Sequence, residues 1–291
     1  MKGYDNMQNN KSPTILKVDV RIPNHIVKVP KEVILQQNIP EHRISALFYL
    51  NYNRTWENTV NYSSIHMIQW CGYKANWNRH KNRESIYDKF LSSMKWLFSN
   101  GYVIDFDASK FTQNTLQSSL LNLDLTEPNK DFAIVYDFEY ETIMKYDSPY
   151  KPLTKSILLL VFSYIKAFMW IRFTSVSGHS EKTKKSKPEI FHSQFETMSQ
   201  FIGIKPKMIS KATEILEQMG LIKTHRMPRY QDFDGQWHTD DIIYLIPYKI
   251  IYENKKFYIC SKDEYNPQKE LENGIIYLRN MNHISKKFYQ E

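Results

Sequence analysis

Glycine and cysteine are both scarce in this chain, and each shortage removes a class of function. Eight glycines in 291 residues leave little for a phosphate-cradling loop, and neither GxGxxG nor GxxxxGK followed by Ser or Thr occurs, so the common nucleotide-binding motifs are missing. Cys71 and Cys260 are the only cysteines and share no CxxC spacing. A disulfide scaffold or cysteine-based zinc site is therefore not expected, and a reducing, cytoplasmic compartment fits. The nine histidines form neither HxH nor HExxH; no metal and no cofactor is expected. Long apolar runs are missing too. Ile157 to Ile171 is the longest, but Tyr164 and Lys166 interrupt it, and it is short for a membrane span. It reads as a buried helix. Met1 to Ser12 is polar and lacks the apolar core of a signal peptide.

What is present is an ordinary globular composition, 42% apolar and 24% charged, with a formal net charge of +8. The sequence pI near 9.1 favours a polyanionic partner without identifying one. The length suffices for two medium domains.

Residues 1–13 carry the composition of a disordered tail. Apolar–polar alternation over Thr14–Ile22 predicts a strand. Pro40-Glu41 opens a helix with Ile44, Leu47, Phe48 and Leu50 on one face. Ser63-Ser64 caps a second over Ile65–Cys71, which Gly72 ends. A long amphipathic helix is predicted over Glu84–Ser99 from Ile86, Phe90, Met94, Leu97 and Phe98. Asn100-Gly101 stops it. Tyr102–Phe106 then reads as a strand, Thr115–Leu123 as a short helix and Phe132–Phe138 as the strand returning to it.

The second half carries the clearer signal. A short helix over Phe195–Ile204 is broken at Gly203, and a second follows over Lys207–Met219 with basic residues at its start. Strands Leu221–Arg226 and Asp241–Pro247 then flank Asp234-Gly235, a hairpin signal. Helix, tight turn, helix and hairpin make a helix-turn-helix with a β-wing. A diverged copy stands in the first half. Leu97 to Ile104 matches Leu216 to Ile222 around a shared glycine, and upstream helices are expected at 43–54 and 155–171. The glycine spacing differs, 72 to 101 against 203 to 220, so the first copy holds an insertion near 74–85. The expected fold is mainly α with small β-wings (α+β), in two tandem winged-helix domains. The N-terminal one spans 14–146 with the insertion, 147–154 is a linker, and the C-terminal one spans 155–291 with a C-terminal extension.

Four surfaces are candidates for contact with DNA. Lys205, Lys207, Ser210 and Lys211 begin the second helix, where side chains reach base edges or phosphates; solvated positions on an amphipathic helix are the plainer alternative. Lys223, His225, Arg226 and Arg229 lie on the wing, suited to phosphates or to guarding a strand edge. Lys74, Arg79, Lys81 and Arg83 surround Trp77 and His80 without a carboxylate, as a nucleic-acid loop would, although Trp77 serves equally as core. Lys182, Lys184, Lys185 and Lys187 form a charge run in a polar loop. Catalysis has no such signature. No tyrosine stands out among 20, and Asp232/Asp234 and Asp240/Asp241 fit turn chemistry. The chain is read as a non-enzyme.

One further stretch adds a resemblance. Ile26-Val27-Lys28-Val29-Pro30-Lys31-Glu32-Val33-Ile34, followed by Ile44 to Tyr52, resembles the opening of the initiator domain in plasmid Rep proteins and phage replisome organisers of low-GC Gram-positive type. The likeness covers roughly 26–104 and 155–247. It implies sequence-specific binding of double-stranded DNA through both recognition helices, replication initiation on a mobile element, and host replication proteins as partners. No membrane partner is expected, and a homodimer is compatible with this reading. A transcriptional regulator, or a winged-helix adaptor that binds protein, would use the same elements.

Overall fold

The computed structural model describes residues 17–35, 41–75, 84–111, 116–119, 132–147, 153–169, 188–228, 230–231, 235, 237–238, 241–253 and 256–281. These residues build a mixed α and β fold in which helices carry the core and small antiparallel sheets close its edges. The first half holds β1 (Ile26–Pro30), α1 (Lys31–Leu35), α2 (Arg43–Tyr52), β2 (Thr59–Tyr62), α3 (Ser64–Trp70) and α4 (Ile86–Ser99). It continues through β3 (Leu116–Ser119) and β4 (Phe132–Tyr136) to α5 (Asp137–Met144). The second half starts with α6 (Lys155–Phe168), β5 (Phe191–Ser193), α7 (Phe195–Ile202), α8 (Pro206–Gln218) and β6 (Lys223–Arg226). Then come β7 (Tyr230–Gln231), β8 (Trp237–His238), β9 (Ile242–Leu245), β10 (Ile250–Glu253), β11 (Lys256–Ile259) and α9 (Pro267–Met281).

Local chemistry explains the helix boundaries. Ser85 and Asp88 form a reciprocal capping box, with Ser85 Oγ accepting the Asp88 N–H at 3.1 Å and Asp88 Oδ2 accepting the Ser85 N–H at 3.2 Å. From there Phe90, Met94 and Leu97 recur at helical spacing and are fully buried. Ser63 caps α3 through the His66 N–H at 3.1 Å. Pro206 occupies the first turn of α8, where its missing N–H costs nothing. Ile209, Ala212, Ile215 and Leu216 face inward from that helix.

One order of elements recurs in the two halves. In the first it is α2, β2, α3, α4, β3, with β2 pairing β3 from Thr59↔Ser119 to Tyr62↔Leu116. In the second it is α6, β5, α7, α8, β6, β9, and the sheet order is β5-β9-β6. β9 is buried on both faces, with alternate side chains turned to opposite sides. Ile242 and Tyr244 join the main core, while Ile243 and Leu245 meet Leu271 and Leu278 of α9.

Several expectations are corrected. Residues 17–22 form no strand; the Val18 N–H instead donates to the Met219 carbonyl at 2.7 Å, at the end of α8. Residues 102–106 hold a single bridged position, Val103, rather than a strand. Residues 116–119 are strand, not helix, because β2 offers them a ladder. β4 does return as a strand, but to β1, from Ile26↔Tyr136 to Pro30↔Phe132, and it ends at Tyr136 where α5 begins. β11 and the last helix fall where the sequence predicts a short strand near Phe257–Cys260 and a helix from about Asn266 to Met281, whereas β10, the partner of β11, has no such signal. The expected tail at 1–13 lies outside the described residues.

The core is centred on α6. Every residue from Ser156 to Ala167 is buried, as the apolar run predicted. The helix packs against β4, α1, α2 and α5 from the first half and α7, α8 and β5 from the second. Each fully buried Leu, Ile or Phe here contributes about 1.5–3 kcal/mol of transfer free energy. The main hydrophobic cluster consequently runs unbroken through both halves.

Candidate nucleic-acid interface

Gly203 ends α7 in the left-handed region at φ 71, donating its N–H to the Ser199 carbonyl at 2.9 Å. A side chain with a Cβ is disfavoured there. Ile204 and Lys205 complete the turn, and the Lys205 carbonyl accepts the Met208 and Ile209 N–H groups at 2.8 and 3.1 Å. This geometry places Lys205 and Lys207 in solvent at the positive end of the α8 dipole. Ser210 and Lys211 follow on the same end and are half-buried. Lys211 is paired: its Nζ lies 2.8 Å from Glu214 Oε2.

The exposed face of α8 thus changes sign along its length. Its start is cationic, and beyond Lys211 it carries the exposed carboxylates Glu214 and Glu217. Glu217 has a structural partner. It accepts the Thr224 N–H and hydroxyl, each at 2.8 Å, which clamps the first residues of β6 onto α8. Between α7, α8 and β6 runs a shallow groove of about 220 Å³ lined by Phe195, Ser210, Thr213, Glu214, Glu217, Thr224, Arg226 and Ile242. The Arg226 guanidinium stands over the Phe195 ring at 5.9 Å, exposed at the mouth of this groove. Lys223 donates to Gln268 Oε1 of α9 at 2.8 Å, which ties the base of the hairpin to the C-terminal helix. His225 is half-buried on the same strand.

Lys205, Lys207, Ser210 and Lys211 therefore share the start of α8, and Ser210 and Arg226 line the same groove. Lys223 is held toward α9 by its bond to Gln268. Lys74 is exposed just after α3, in the other half. Arg79, Lys81, Arg83 and Arg229 lie outside the described residues, as do Trp77, His80 and the lysines at 182–187. The sequence reading missed Glu214 and Glu217. Glu214 stands three residues beyond Lys211, a spacing for side-chain pairing that is legible in the sequence, and Glu217 three residues beyond Glu214.

In the first half of the chain, α4 exposes Lys95 and Phe98. A wider depression of about 540 Å³ lies beyond it, between Tyr62, Leu116 and Ser118 and the loop carrying Asp105, Asp107 and Lys110. Hydrogen bonds from the Ser109 hydroxyl and N–H hold the Asp107 carboxyl below its usual range. Among the described residues no group of three or more His, Cys, Asp or Glu is placed to hold a metal ion, and no helix is long and apolar enough to cross a membrane. Compared with protein families, with curated proteins and with solved structures, the chain finds no match in any of the three.

Proposed function

We propose that the chain is a non-enzymatic, sequence-specific double-stranded DNA-binding protein of two tandem winged-helix units, acting in replication initiation on a plasmid, phage or other mobile element. One observation carries this reading: the recurring order of helix, strand, helix, helix and strand, with the fourth element presenting a cationic N-terminal end in the second unit. In a helix-turn-helix that end enters the major groove. Lys205, Lys207, Ser210 and Lys211 would then meet phosphates and base edges, and Arg226 on β6 would approach the flanking backbone. The net charge of +8 supplies long-range attraction to a polyanion. The initiation role rests on the resemblance of the 26–52 stretch to Rep initiators, with host replication proteins as the implied partners.

A second reading has its own observation. Glu214 and Glu217 put negative charge on the C-terminal half of the exposed α8 surface, and carboxylates repel phosphate. That distribution favours a winged-helix adaptor whose partner is a protein.

Selection of bound sequences from random duplex DNA at near-physiological salt tests the proposal. Enrichment of one motif, with affinity falling steeply as salt rises, is the expected result, because phosphate contacts release counterions. Direct repeats beside an AT-rich tract mark an initiator; a promoter palindrome marks a regulator. No enrichment and no salt dependence would leave the adaptor.

A further inference from the structure

Among the described residues Trp56 is the most exposed large hydrophobic side chain, at 89%. The turn that presents it, between α2 and β2, is closed by hydrogen bonds at both ends. Asn53 follows α2, and its side-chain amide and N–H both donate to the Tyr49 carbonyl, at 2.8 and 3.1 Å. The Thr55 N–H donates to the Thr59 carbonyl at 2.7 Å and the Asn58 N–H to the Thr55 carbonyl at 3.1 Å, and the two threonine hydroxyls meet at 2.9 Å. Asn58 closes the turn in the left-handed region at φ 60, which asparagine adopts more readily than most residues. The indole is therefore held out from a pre-formed loop, and docking there costs little further ordering.

Arg54 supplies a second observation in the same turn. It is half-buried, and among the described residues no carboxylate or carbonyl meets its guanidinium. Burial lowers its pKa from the ordinary value, and no neighbouring charge opposes that shift. A partly dehydrated guanidinium without a partner is ready to receive an anion. The surrounding charge decides which kind. From Ile44 to Tyr73, Arg54 is the only fixed cation, and Glu57, exposed in the same turn, is the only carboxylate. A strand of phosphates is tracked by a groove of several cations, whereas a single guanidinium matches a single carboxylate through two parallel hydrogen bonds.

We propose that the 53–58 turn is a protein-docking site, with Trp56 filling an apolar slot on the partner and Arg54 receiving a carboxylate from an acidic segment beside that slot. Trp and Arg are among the residue types that dominate interface hot spots. The turn lies outside α8 and its wing, so docking there needs no DNA.

Panning a displayed library of random linear peptides against the immobilised full chain tests this, with counter-selection on Trp56→Ala. That variant keeps the net charge, so peptides held by charge alone are removed. The expected survivors combine a carboxylate with an aromatic or large aliphatic side chain. The most enriched peptide, made synthetically, should lose about ten-fold or more in affinity with Trp56→Ala and again with Arg54→Met, as truncated hot spots do. Arg54→Met keeps the buried stem while removing the charge, and urea unfolding of both variants should match the parent. In the parent itself the Trp56 emission, isolated by difference from Trp56→Phe, should shift to shorter wavelength and lose access to iodide when the peptide binds. No survivor after counter-selection, or survivors that Arg54→Met binds as well as the parent does, overturns the proposal. Oligothymidylate bound by the parent and far more weakly by Trp56→Ala makes the occupant a single-stranded nucleic acid, and self-association that Trp56→Ala abolishes makes it a second copy; either result overturns the proposal too. The duplex selection is read separately. Its failure ends the DNA reading and leaves the docking turn standing, whereas loss of duplex binding in Trp56→Ala assigns Trp56 to the DNA interface and overturns the docking site.

Discussion

The Lys166 ammonium lies 2.7 Å from one oxygen of the Glu139 carboxylate and 2.8 Å from the other, and Glu139 is completely buried. Burial lowers the lysine pKa from its ordinary value while Glu139 opposes the shift. The ammonium also stands 4.3 Å from the centre of the Tyr136 ring. Burial, with the adjacent Glu139 carboxylate, pushes the Tyr248 phenol far above its usual range, so its hydroxyl stays protonated and serves as donor. A single carboxylate thus gathers Lys166 and Tyr248 from distant parts of the chain, besides the Tyr136 N–H at 2.8 Å.

Removing one partner of such a pair costs more than removing both, because the survivor is left charged and dry. Glu139→Gln should destabilise the fold by about 3–5 kcal/mol. Adding Lys166→Met should recover much of that loss. Urea denaturation of the two variants decides it: a double variant no more stable than Glu139→Gln would show that the pair is not the source of the cost.

His42 gives a stability that depends on pH. Its ring stacks on Phe90 at 5.0 Å, and burial lowers its pKa from 6.5 to about 4, with the nearby Glu41 carboxylate opposing. Folded protein therefore refuses a proton that unfolded chain accepts between those values. The stabilisation is complete above pH 6.5, declines as pH falls toward 4, and then levels off, a loss on the order of 3 kcal/mol. The difference in unfolding free energy between pH 7 and pH 4.5 should be smaller in His42→Asn than in the parent. Equal differences would place the pH dependence elsewhere.

Ser156 fills its whole hydrogen-bonding capacity inside the core. A hydroxyl offers one donor and two acceptor sites, and its oxygen meets His42 Nδ1 at 2.9 Å, Ser45 Oγ at 2.7 Å and the Tyr73 hydroxyl at 2.7 Å. Ser156→Ala strands buried partners and should cost about 1–3 kcal/mol for each one left unsatisfied. Since Ser45 and Ser156 share a bond, Ser45→Ala combined with Ser156→Ala should destabilise by less than the sum of the single changes. Strict additivity would mean that water takes over the bonds that the two hydroxyls made.

The helices were legible where local chemistry decides them. Ser85, Pro206, Gly203 and the apolar spacing of Phe90, Met94 and Leu97 mark α4, α7 and α8 to within a residue or two. Strand pairing was not, because it depends on distant partners: nothing in the Phe132–Tyr136 pattern says that Ile26–Pro30 lies beside it. The short Leu116–Ser119 run likewise takes its conformation from β2. Half of the Lys166–Glu139 pair was readable. Lys166 within an apolar helix demands a buried carboxylate, but the sequence does not say that Glu139 supplies it. At the candidate interface the cationic start of α8 was legible, whereas the Lys211–Glu214 pair and the Glu217 clamp on Thr224 depend on side-chain conformation.

That pairing sorts the lysines of α8 into two kinds. Lys205 and Lys207 are exposed, while Lys211 is engaged with Glu214 at 2.8 Å. An exposed ion pair of this sort is worth little, about 0–1 kcal/mol, so Lys211 can exchange Glu214 for a phosphate at small cost. Lys205→Ala with Lys207→Ala should flatten the salt dependence of log K by about 0.9 for each phosphate no longer neutralised. Both side chains are exposed, and unfolding free energy should move by no more than about 0.5 kcal/mol. Glu214→Gln should act in the opposite direction, freeing Lys211 and removing a charge that repels phosphate, so affinity should rise. Titrations of the selected duplex across a range of salt concentrations check both. If the double lysine variant binds with the parent's affinity and slope, and Glu214→Gln weakens binding instead, then the carboxylate is the contact and the partner of this face is a protein.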